Sequence, residues 1–327
     1  MSYHGNLYDD VEEPDFYSDN YAPKKEYDGI EKLTAQDIYK RLDETVYGME
    51  EVKRGISVFV YKALKGIRSE KVILIAAESG TGKSFLISEL SKIVPLLKVD
   101  STSITTAGYK GSNHLTTILN KVDTSGSTVS FIVLDEFNRL TQKGVNGGWS
   151  DTSLIPELLL LFDDKDASIN AGTDEKPFWV NPKNLFFILC GSFANLTDEI
   201  STGNPIGFCA EFNKASKSHR KQITKKMILD HLKAYPELIG RINRIFINPN
   251  LTEDDYRQIL SNPKYSPATQ LEQELGLSIK IPPKKMDQYI KECYESNTGV
   301  RHIRNELIEQ VDSAIFGNPD VKEVIIK

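Results

Sequence analysis

Residues Val72–Leu90 read VILIAAESGTGKSFLISEL, and this stretch decides the fold. It begins with an apolar run, passes through a glycine-containing turn and continues with apolar residues at helical spacing, a pattern that predicts strand, loop and helix. Such a loop turns backbone N–H groups inward, and the following helix directs its positive dipole end to the same place. The stretch therefore predicts a binding site for phosphate groups.

The loop matches the phosphate-binding pattern GxxxxGK[ST] at every defined position except the first, where Ala77 replaces glycine. In this pattern Lys83 reaches the terminal phosphates and the Ser84 hydroxyl binds Mg²⁺. An ordinary glycine–serine turn is the alternative. Alanine fits at position 77 if its φ is negative, but not easily if φ is positive. The predicted ATP-binding residues of the loop are Ser79, Gly80, Thr81, Gly82, Lys83 and Ser84.

A second motif strengthens this interpretation. Residues 131–136 read FIVLDE, an apolar run that ends in two carboxylates. Such a strand typically delivers one acid to the Mg²⁺ ion and another to the attacking water of an ATPase. We therefore predict that Asp135 binds the metal, that Glu136 activates the water, and that ATP and Mg²⁺ are the cofactors.

Composition limits the remaining possibilities. At 327 residues with a net charge of −6, the chain is expected to hold about two domains and has no overall attraction to nucleic acid or to anionic membranes. The three cysteines, Cys190, Cys209 and Cys293, form no CxxC pair and so indicate neither a disulfide framework nor a zinc site. With no predicted signal peptide or membrane span, we expect a cytoplasmic enzyme.

Three regions follow along the chain. Residues 1–32 are acidic and tyrosine-rich and are predicted to be a disordered tail, with a docking segment for a partner as the alternative. In residues 33–249, apolar strands alternate with helices, which predicts an α/β domain whose parallel sheet is covered by helices on both faces. Nucleotide should bind at the carboxyl ends of its strands. Residues 250–327 are predicted to form a small, mainly helical domain.

Local signals predict several individual elements. Thr34 and Thr252 each precede an aspartate by three residues and are predicted to open helices through capping boxes. The predicted boundaries are helices at about 114–121, 154–162, 285–296 and 300–316, strands at about 97–99 and 185–189, and a terminal strand at 321–327 that pairs with 277–281.

Further segments occur in the order found in AAA+ ATPases of the ClpX-like protein unfoldase branch, which the chain resembles from about residue 33 to its end. These segments are TVYGM at 45–49, AGYKG at 107–111, LDEFNRL at 134–140, CGSFANL at 190–196, PIGF at 205–208, PELIGR at 236–241 and TGVRHIR at 298–304. The resemblance implies a homo-hexamer that uses ATP to thread polypeptide through a central pore. Delivery of that polypeptide to the peptidase ClpP is left open.

The resemblance also implies roles for residues that would surround the nucleotide. Val46 and Tyr47 correspond to the adenine-contacting segment, although ordinary core packing is an equal alternative. Arg241 resembles the arginine finger, which acts on the nucleotide of a neighbouring subunit; Arg244 is the alternative finger, and a surface salt bridge is the alternative role for either. Both roles stay open at this point.

Two further positions correspond to sensors of the nucleotide. Arg301 resembles sensor 2, a cation that touches bound phosphate, whereas Arg304, one turn later, is the better candidate for an ordinary ion pair. Many family members have asparagine at sensor 1. Here Ser192 is the nearest hydroxyl that could orient a water.

Two loops resemble contact sites for protein partners. Tyr109 and Lys110 correspond to the aromatic pore loop that grips polypeptide, and Lys110 replaces the usual apolar residue with a positive charge. The residues Ile206, Gly207 and Phe208 match the tripeptide that docks ClpX-like unfoldases on ClpP, with an incidental match as the alternative.

Two departures from the family motivate a second hypothesis. We expect the acidic, tyrosine-rich tail to stand in place of the family's amino-terminal zinc-binding domain, and residues 173–177, TDEKP, stand where a basic entrance loop is expected. A stand-alone remodeller of protein complexes without a peptidase partner is therefore the alternative. A nucleic-acid motor or loader is a third, which the acidic net charge and the GYKG loop disfavour.

Overall fold

The computed structural model describes residues 29–104, 119, 122, 129–141, 154–163, 169–170, 179–193, 222–296 and 299–327. The predicted tail up to residue 28 lies outside the described residues, as does nearly all of the helix predicted at 114–121. No helix in the described part of the chain is long and apolar enough to cross a membrane.

Two helices precede the first strand. Helix α1 spans Ala35–Asp43 and α2 spans Glu50–Leu64. The predicted capping box at the start of α1 is confirmed, because the Thr34 hydroxyl accepts a hydrogen bond from the Asp37 N–H and the Asp37 carboxylate accepts one from the Thr34 N–H. These helices lead the chain onto the sheet.

A five-stranded parallel sheet forms the centre of the larger part of the protein. Along the chain the strands are β1 Val72–Ala76, β2 Leu96–Asp100, β3 Ser130–Asp135, β4 Ile169–Asn170, β5 Trp179–Val180, β6 Leu185–Gly191 and β7 Arg244–Ile247. The sheet order is β2-β3-β6-β1-β7 with every neighbouring pair parallel, while β4 and β5 form a separate antiparallel pair. All five residues of β1 are buried, as expected of a strand covered on both faces.

Helices cover both faces of this sheet. They include α3 Lys83–Leu90, α4 Leu154–Phe162, α5 Lys225–Leu232 and α6 Pro236–Arg241. Alternate residues of β1 belong to different apolar clusters: Leu74 lies in the cluster that contains Leu158 of α4, and Ile73 lies in the cluster that contains Ile56 of α2. The predicted α/β architecture with helices on both faces is confirmed.

The carboxyl-terminal part is mainly helical. It contains α7 Glu253–Ser261, α8 Pro267–Leu275, β8 Ser278–Lys280, α9 Pro283–Ser296, α10 Val300–Gly317 and β9 Glu323–Ile325. The predicted pairing of the terminal strand is confirmed, because β9 lies parallel to β8. A third apolar cluster draws its buried members from residues 256–326 alone. This separate core is what a domain from residue 250 onward requires, although the boundary itself stays a prediction.

Candidate nucleotide-binding site

The loop between β1 and α3 has the backbone shape of a phosphate cradle. Gly80 and Gly82 take left-handed conformations with φ of 79° and 95°, which glycine adopts without strain. Ala77 is not among the residues with positive φ, and its N–H donates to the Gly191 carbonyl of β6 at 3.2 Å. Alanine at the first position of the motif is therefore compatible with the loop.

Lys83 points back into this loop. Its ammonium donates to the carbonyl oxygens of Ala77 at 2.5 Å and Glu78 at 2.8 Å. Burial lowers the pKa of Lys83, which shows that its surroundings poorly solvate a positive charge. A phosphate bound in the loop would bring the compensating negative charge.

Ser84 and Asp135 present two hard oxygen ligands on the same side of the loop. The Ser84 Oγ atom lies 3.5 Å from Asp135 Oδ2, and Asp135 is the last residue of β3. In an octahedral Mg²⁺ site with bonds of about 2.1 Å, neighbouring ligands are about 3 Å apart and opposite ligands about 4 Å apart. The two side chains therefore fit a magnesium ion with little movement.

Glu136 follows Asp135 in a strained conformation. Its φ of 54° is unusual for a residue with a side chain and costs on the order of 1–3 kcal/mol. The carboxylate is 43% exposed, and Oε2 lies 3.7 Å from the Arg139 Nε atom. Backbone strain of this kind is common at functional positions, so it is consistent with the predicted role of Glu136 beside a bound water.

Ser192 lies close to these acids. Its N–H donates to the Asn138 side-chain oxygen at 3.0 Å, and Asn138 is itself buried. The hydrogen bond ties the chain after β6 to the chain after β3. Ser192 lines the same cavity as Glu136. Its role in orienting a water stays a prediction.

One cavity of about 410 Å³ connects the phosphate loop to the carboxyl-terminal part of the chain. Its volume falls in the range of small-molecule sites. Its walls include Val46, Tyr47, Gly80, Glu136, Tyr265 and Arg301. The predicted ATP-binding residues are therefore brought together, and residues from before, within and after the sheet all reach them.

The segment predicted to contact adenine forms one wall. Val46 is 2% exposed and packs in the core while also lining the cavity, so core packing is confirmed and contact with adenine stays a prediction. The Tyr47 hydroxyl donates to Asp255 Oδ1 of α7 at 2.9 Å, and its ring meets Tyr265 edge-on with centroids 5.3 Å apart. Burial, together with the carboxylate of Asp255, raises the pKa of Tyr47 to about 12. The neutral phenol therefore joins α7 to the cavity wall.

Lys53 supports the same segment from behind, and sequence analysis did not single it out. Its side chain is 0% exposed, and its ammonium lies 2.5 Å from Asp43 Oδ1 and 3.0 Å from Glu50 Oε1. It also donates to the Val46 carbonyl at 3.3 Å. This buried cation fixes the backbone that lines the cavity.

The start of α10 touches the phosphate loop directly. Gly299 has a φ of 66°, and a Cβ atom placed there would lie 2.2 Å from the Gly80 carbonyl oxygen. Arg301 lines the cavity two residues later and, within the ranges that the structure describes, makes no ion pair. Arg304 instead pairs with Glu274 at 3.0 Å, the ordinary role that the sequence suggested for it.

Comparison with known proteins agrees with this arrangement. Residues 61–203 match the model of the ATPase family associated with various cellular activities, abbreviated AAA. The ATP-binding subunit ClpX of the ATP-dependent Clp protease of Treponema denticola is 27% identical over an alignment of 326 residues, which covers 88% of this chain and 78% of the relative. The chain is a ClpX-like AAA+ ATPase.

The two candidate arginine fingers of this ClpX-like ATPase lie at the opposite end of the strands from the phosphate loop. Arg244 opens β7 beside Ile73 of β1, so Arg241 and Arg244 lie near the amino end of β1, whereas the phosphate loop follows its carboxyl end. The five residues of β1 separate its two ends by about 15 Å. Neither arginine lines the cavity of its own chain.

Both arginines are held by carboxylates. Arg241 Nε donates to Asp163 Oδ1 at 2.7 Å, and Arg244 Nη2 donates to Glu70 Oε2 at 2.6 Å. The salt bridges considered as alternatives are therefore present. They do not rule out a finger, because Arg241 is 34% exposed and its guanidinium has further donors to offer.

The two loops predicted to bind protein partners lie outside the described residues. This applies to Tyr109 and Lys110 of the pore loop and to the tripeptide Ile206, Gly207 and Phe208. Their roles stay predictions.

Proposed function

We propose that this ClpX-like ATPase is a cytoplasmic, hexameric unfoldase that uses ATP hydrolysis to thread polypeptide through a central pore. The observation that carries the proposal is the single cavity shared by the phosphate loop and the start of α10. A nucleotide in this cavity would touch both parts of the chain. Its hydrolysis would therefore change the preferred angle between them, which is how such a contact produces movement.

The residues of the cavity divide the chemistry of ATP hydrolysis among them. Lys83 binds the terminal phosphates, and Ser84 and Asp135 would hold Mg²⁺, which neutralises charge that develops on the phosphates. Glu136 accepts the proton of the attacking water, and Ser192 helps to orient that water. Arg301, on α10, contacts the bound phosphate and so makes the position of α10 depend on whether phosphate is present.

The position of Arg241 supports a ring of several copies. An arginine finger must reach a γ-phosphate, yet Arg241 lies across the sheet from its own phosphate loop. A neighbouring copy that presents its loop to this edge would bring the two together. The hexamer proposed from the family resemblance provides such a neighbour.

The proposal that polypeptide is the substrate rests on the resemblance of the AGYKG loop to the family's pore loop. In the ring, Tyr109 would grip side chains by shape and dispersion, and Lys110 would add a ring of positive charge. The relative from Treponema denticola is a subunit of the ATP-dependent Clp protease. We extend that partnership to this chain through Ile206, Gly207 and Phe208 as a docking loop for ClpP.

The test measures assembly and unfolding with reciprocal variants. Light scattering after size exclusion, with a slowly hydrolysed ATP analogue, reports the hexamer and its capture of ClpP from the same host. Phe208→Ala should lose ClpP but still unfold a tagged fluorescent protein. Tyr109→Ala should lose unfolding, keep ATP hydrolysis and still capture ClpP, so that each variant is the control for the other.

Three other outcomes would favour a different function or contradict part of the proposal. A hexamer that unfolds protein but ignores ClpP would favour the stand-alone remodeller. ATP hydrolysis stimulated by DNA, with no response to unfolded protein, would favour a nucleic-acid motor. Absence of any hexamer in the presence of the ATP analogue would contradict the ring and the trans role of Arg241.

A further inference from the structure

An additional lysine reaches the metal-binding carboxylate. Lys98 lies on β2, the edge strand next to β3, and its ammonium is 2.7 Å from Asp135 Oδ2. Its side chain is 43% exposed, whereas that of Asp135 is 17% exposed. The motifs of the phosphate loop and of FIVLDE do not include this residue.

The ammonium of Lys98 contacts the same oxygen of the Asp135 carboxylate that faces Ser84. Asp135 Oδ2 lies 3.5 Å from Ser84 Oγ, whereas Oδ1 accepts the N–H of Glu136 at 3.1 Å. The oxygen best placed to share a metal ion with Ser84 is therefore the one already paired with an ammonium.

Two cations cannot approach one carboxylate oxygen without repelling each other. A lysine carries a compact charge on a flexible four-carbon stem, so the half-exposed Lys98 can move aside into solvent. The Asp135 carboxylate, in contrast, is fixed by the end of β3 and by its bond to the Glu136 N–H. Metal entry therefore displaces the lysine rather than the aspartate.

We propose that Lys98 is a tethered competitor of the divalent metal for Asp135 Oδ2 and thereby raises the metal concentration at which the site fills. This inference rests on the proposed function, because it takes ATP and Mg²⁺ as the ligands of the cavity. Lys98 neutralises Asp135 while the metal is absent.

The experiment measures metal binding directly. In the slowly hydrolysing Glu136→Gln protein with saturating ATP, bound Mn²⁺ is followed by electron paramagnetic resonance as Mn²⁺ is added. Lys98→Met keeps the apolar stem without the charge, and Lys98→Gln is a second variant of different shape. Removing a half-exposed ion pair should lower the half-saturating Mn²⁺ concentration about two- to fivefold in both.

A matched lysine serves as the control. Lys280 of β8 pairs with Glu323 of the neighbouring β9 at 2.6 Å, the same cross-strand arrangement away from the cavity. Lys280→Met changes the net charge equally and should leave the half-saturating concentration unchanged.

An unchanged or increased half-saturating concentration in both Lys98 variants would overturn the inference, as would an equal decrease in Lys280→Met. Binding of a fluorescent ATP analogue, measured first with chelator present, separates this result from the proposed function. If the parent protein fails to bind that nucleotide with or without metal, the proposed function itself is wrong.

Discussion

The α-carbon of Gly299 packs against the backbone of Gly80, so closely that a Cβ atom at residue 299 would lie 2.2 Å from the Gly80 carbonyl oxygen. The first residue belongs to the start of α10, and the second belongs to the phosphate loop. Because both partners are backbone, neither can yield by changing a rotamer. The position of α10 and the shape of the loop are therefore set together.

Gly299→Ala should weaken nucleotide binding. The side chain would both clash with Gly80 and force alanine to a φ of 66°, a conformation that costs on the order of 1–3 kcal/mol. We expect about a tenfold loss of affinity for a fluorescent ATP analogue in an equilibrium titration. Gly317→Ala is the control on the same helix, because nothing lies within 4 Å of a Cβ there. Equal affinities of the two variants would contradict the coupling.

Glu136→Gln should separate ATP binding from hydrolysis. The amide preserves shape but cannot accept the proton of the attacking water, and loss of a general base typically lowers the rate about 10²–10⁴-fold. We expect an unchanged dissociation constant for ATP and a strongly decreased steady-state rate. Lys83→Ala should instead lose binding. Arg139→Gln controls for the ion pair with Glu136, and normal turnover in Glu136→Gln would assign the base elsewhere.

Arg241→Ala should lose hydrolysis without losing nucleotide binding, by about 10³–10⁵-fold if it is a finger. Mixing this variant with Lys83→Ala should restore activity, because an intact loop from one variant then meets an intact finger from the other. Asp163→Asn is the control, since it removes the 2.7 Å ion pair but keeps the guanidinium. Failure of the mixture to recover activity, despite assembly of both chains into one ring, would exclude action between subunits.

Asp43→Asn should destabilise the folded protein in a pH-dependent manner. The hydrogen bond from buried Lys53 holds the pKa of Asp43 below its ordinary value of 3.8. The contribution of Asp43 is therefore fully present above that value and is lost as pH falls through the lowered folded pKa. Loss of one partner of a buried ammonium should cost about 1–3 kcal/mol at pH 7.

Urea unfolding between pH 7 and pH 3 would measure this difference. The gap between wild type and Asp43→Asn should stay constant down to about pH 5 and narrow below pH 4. Asp287→Asn is the matched control, because its pair with Arg257 is exposed and should contribute at most about 1 kcal/mol. A constant gap across the whole range would show that Asp43 does not act through its charge.

The parts of the site built from consecutive residues were predictable from sequence. The phosphate loop and the two acids at the end of β3 each lie on one short segment, and the alternation of strands and helices places them at the same edge of a parallel sheet. The capping boxes at Thr34 and Thr252 were likewise local signals, and both are present. Prediction succeeded where the spacing along the chain determines the geometry.

Contacts between distant segments were not predictable in this way. Strand β7 has only four residues, and its apolar run of three is too short to predict a strand from periodicity alone. Its neighbour Asn248 is nonetheless buried at the loop, where its side-chain amide lies 3.5 Å from the Thr81 carbonyl. Lys53 looks like a surface residue of a charged helix segment. Burial and pairing of such residues depend on the assembled fold, which local periodicity does not specify.

The sheet places the phosphate loop and Arg241 at opposite ends of β1. In a ring assembled as proposed, every subunit would contribute its phosphate loop to one reaction centre and its Arg241 to a different one. A chain defective in both would therefore silence its neighbour's centre as well as its own. In mixed rings the number of complete centres would fall as the square of the intact fraction, so a defective copy of this protein would act as a dominant inhibitor of the normal one.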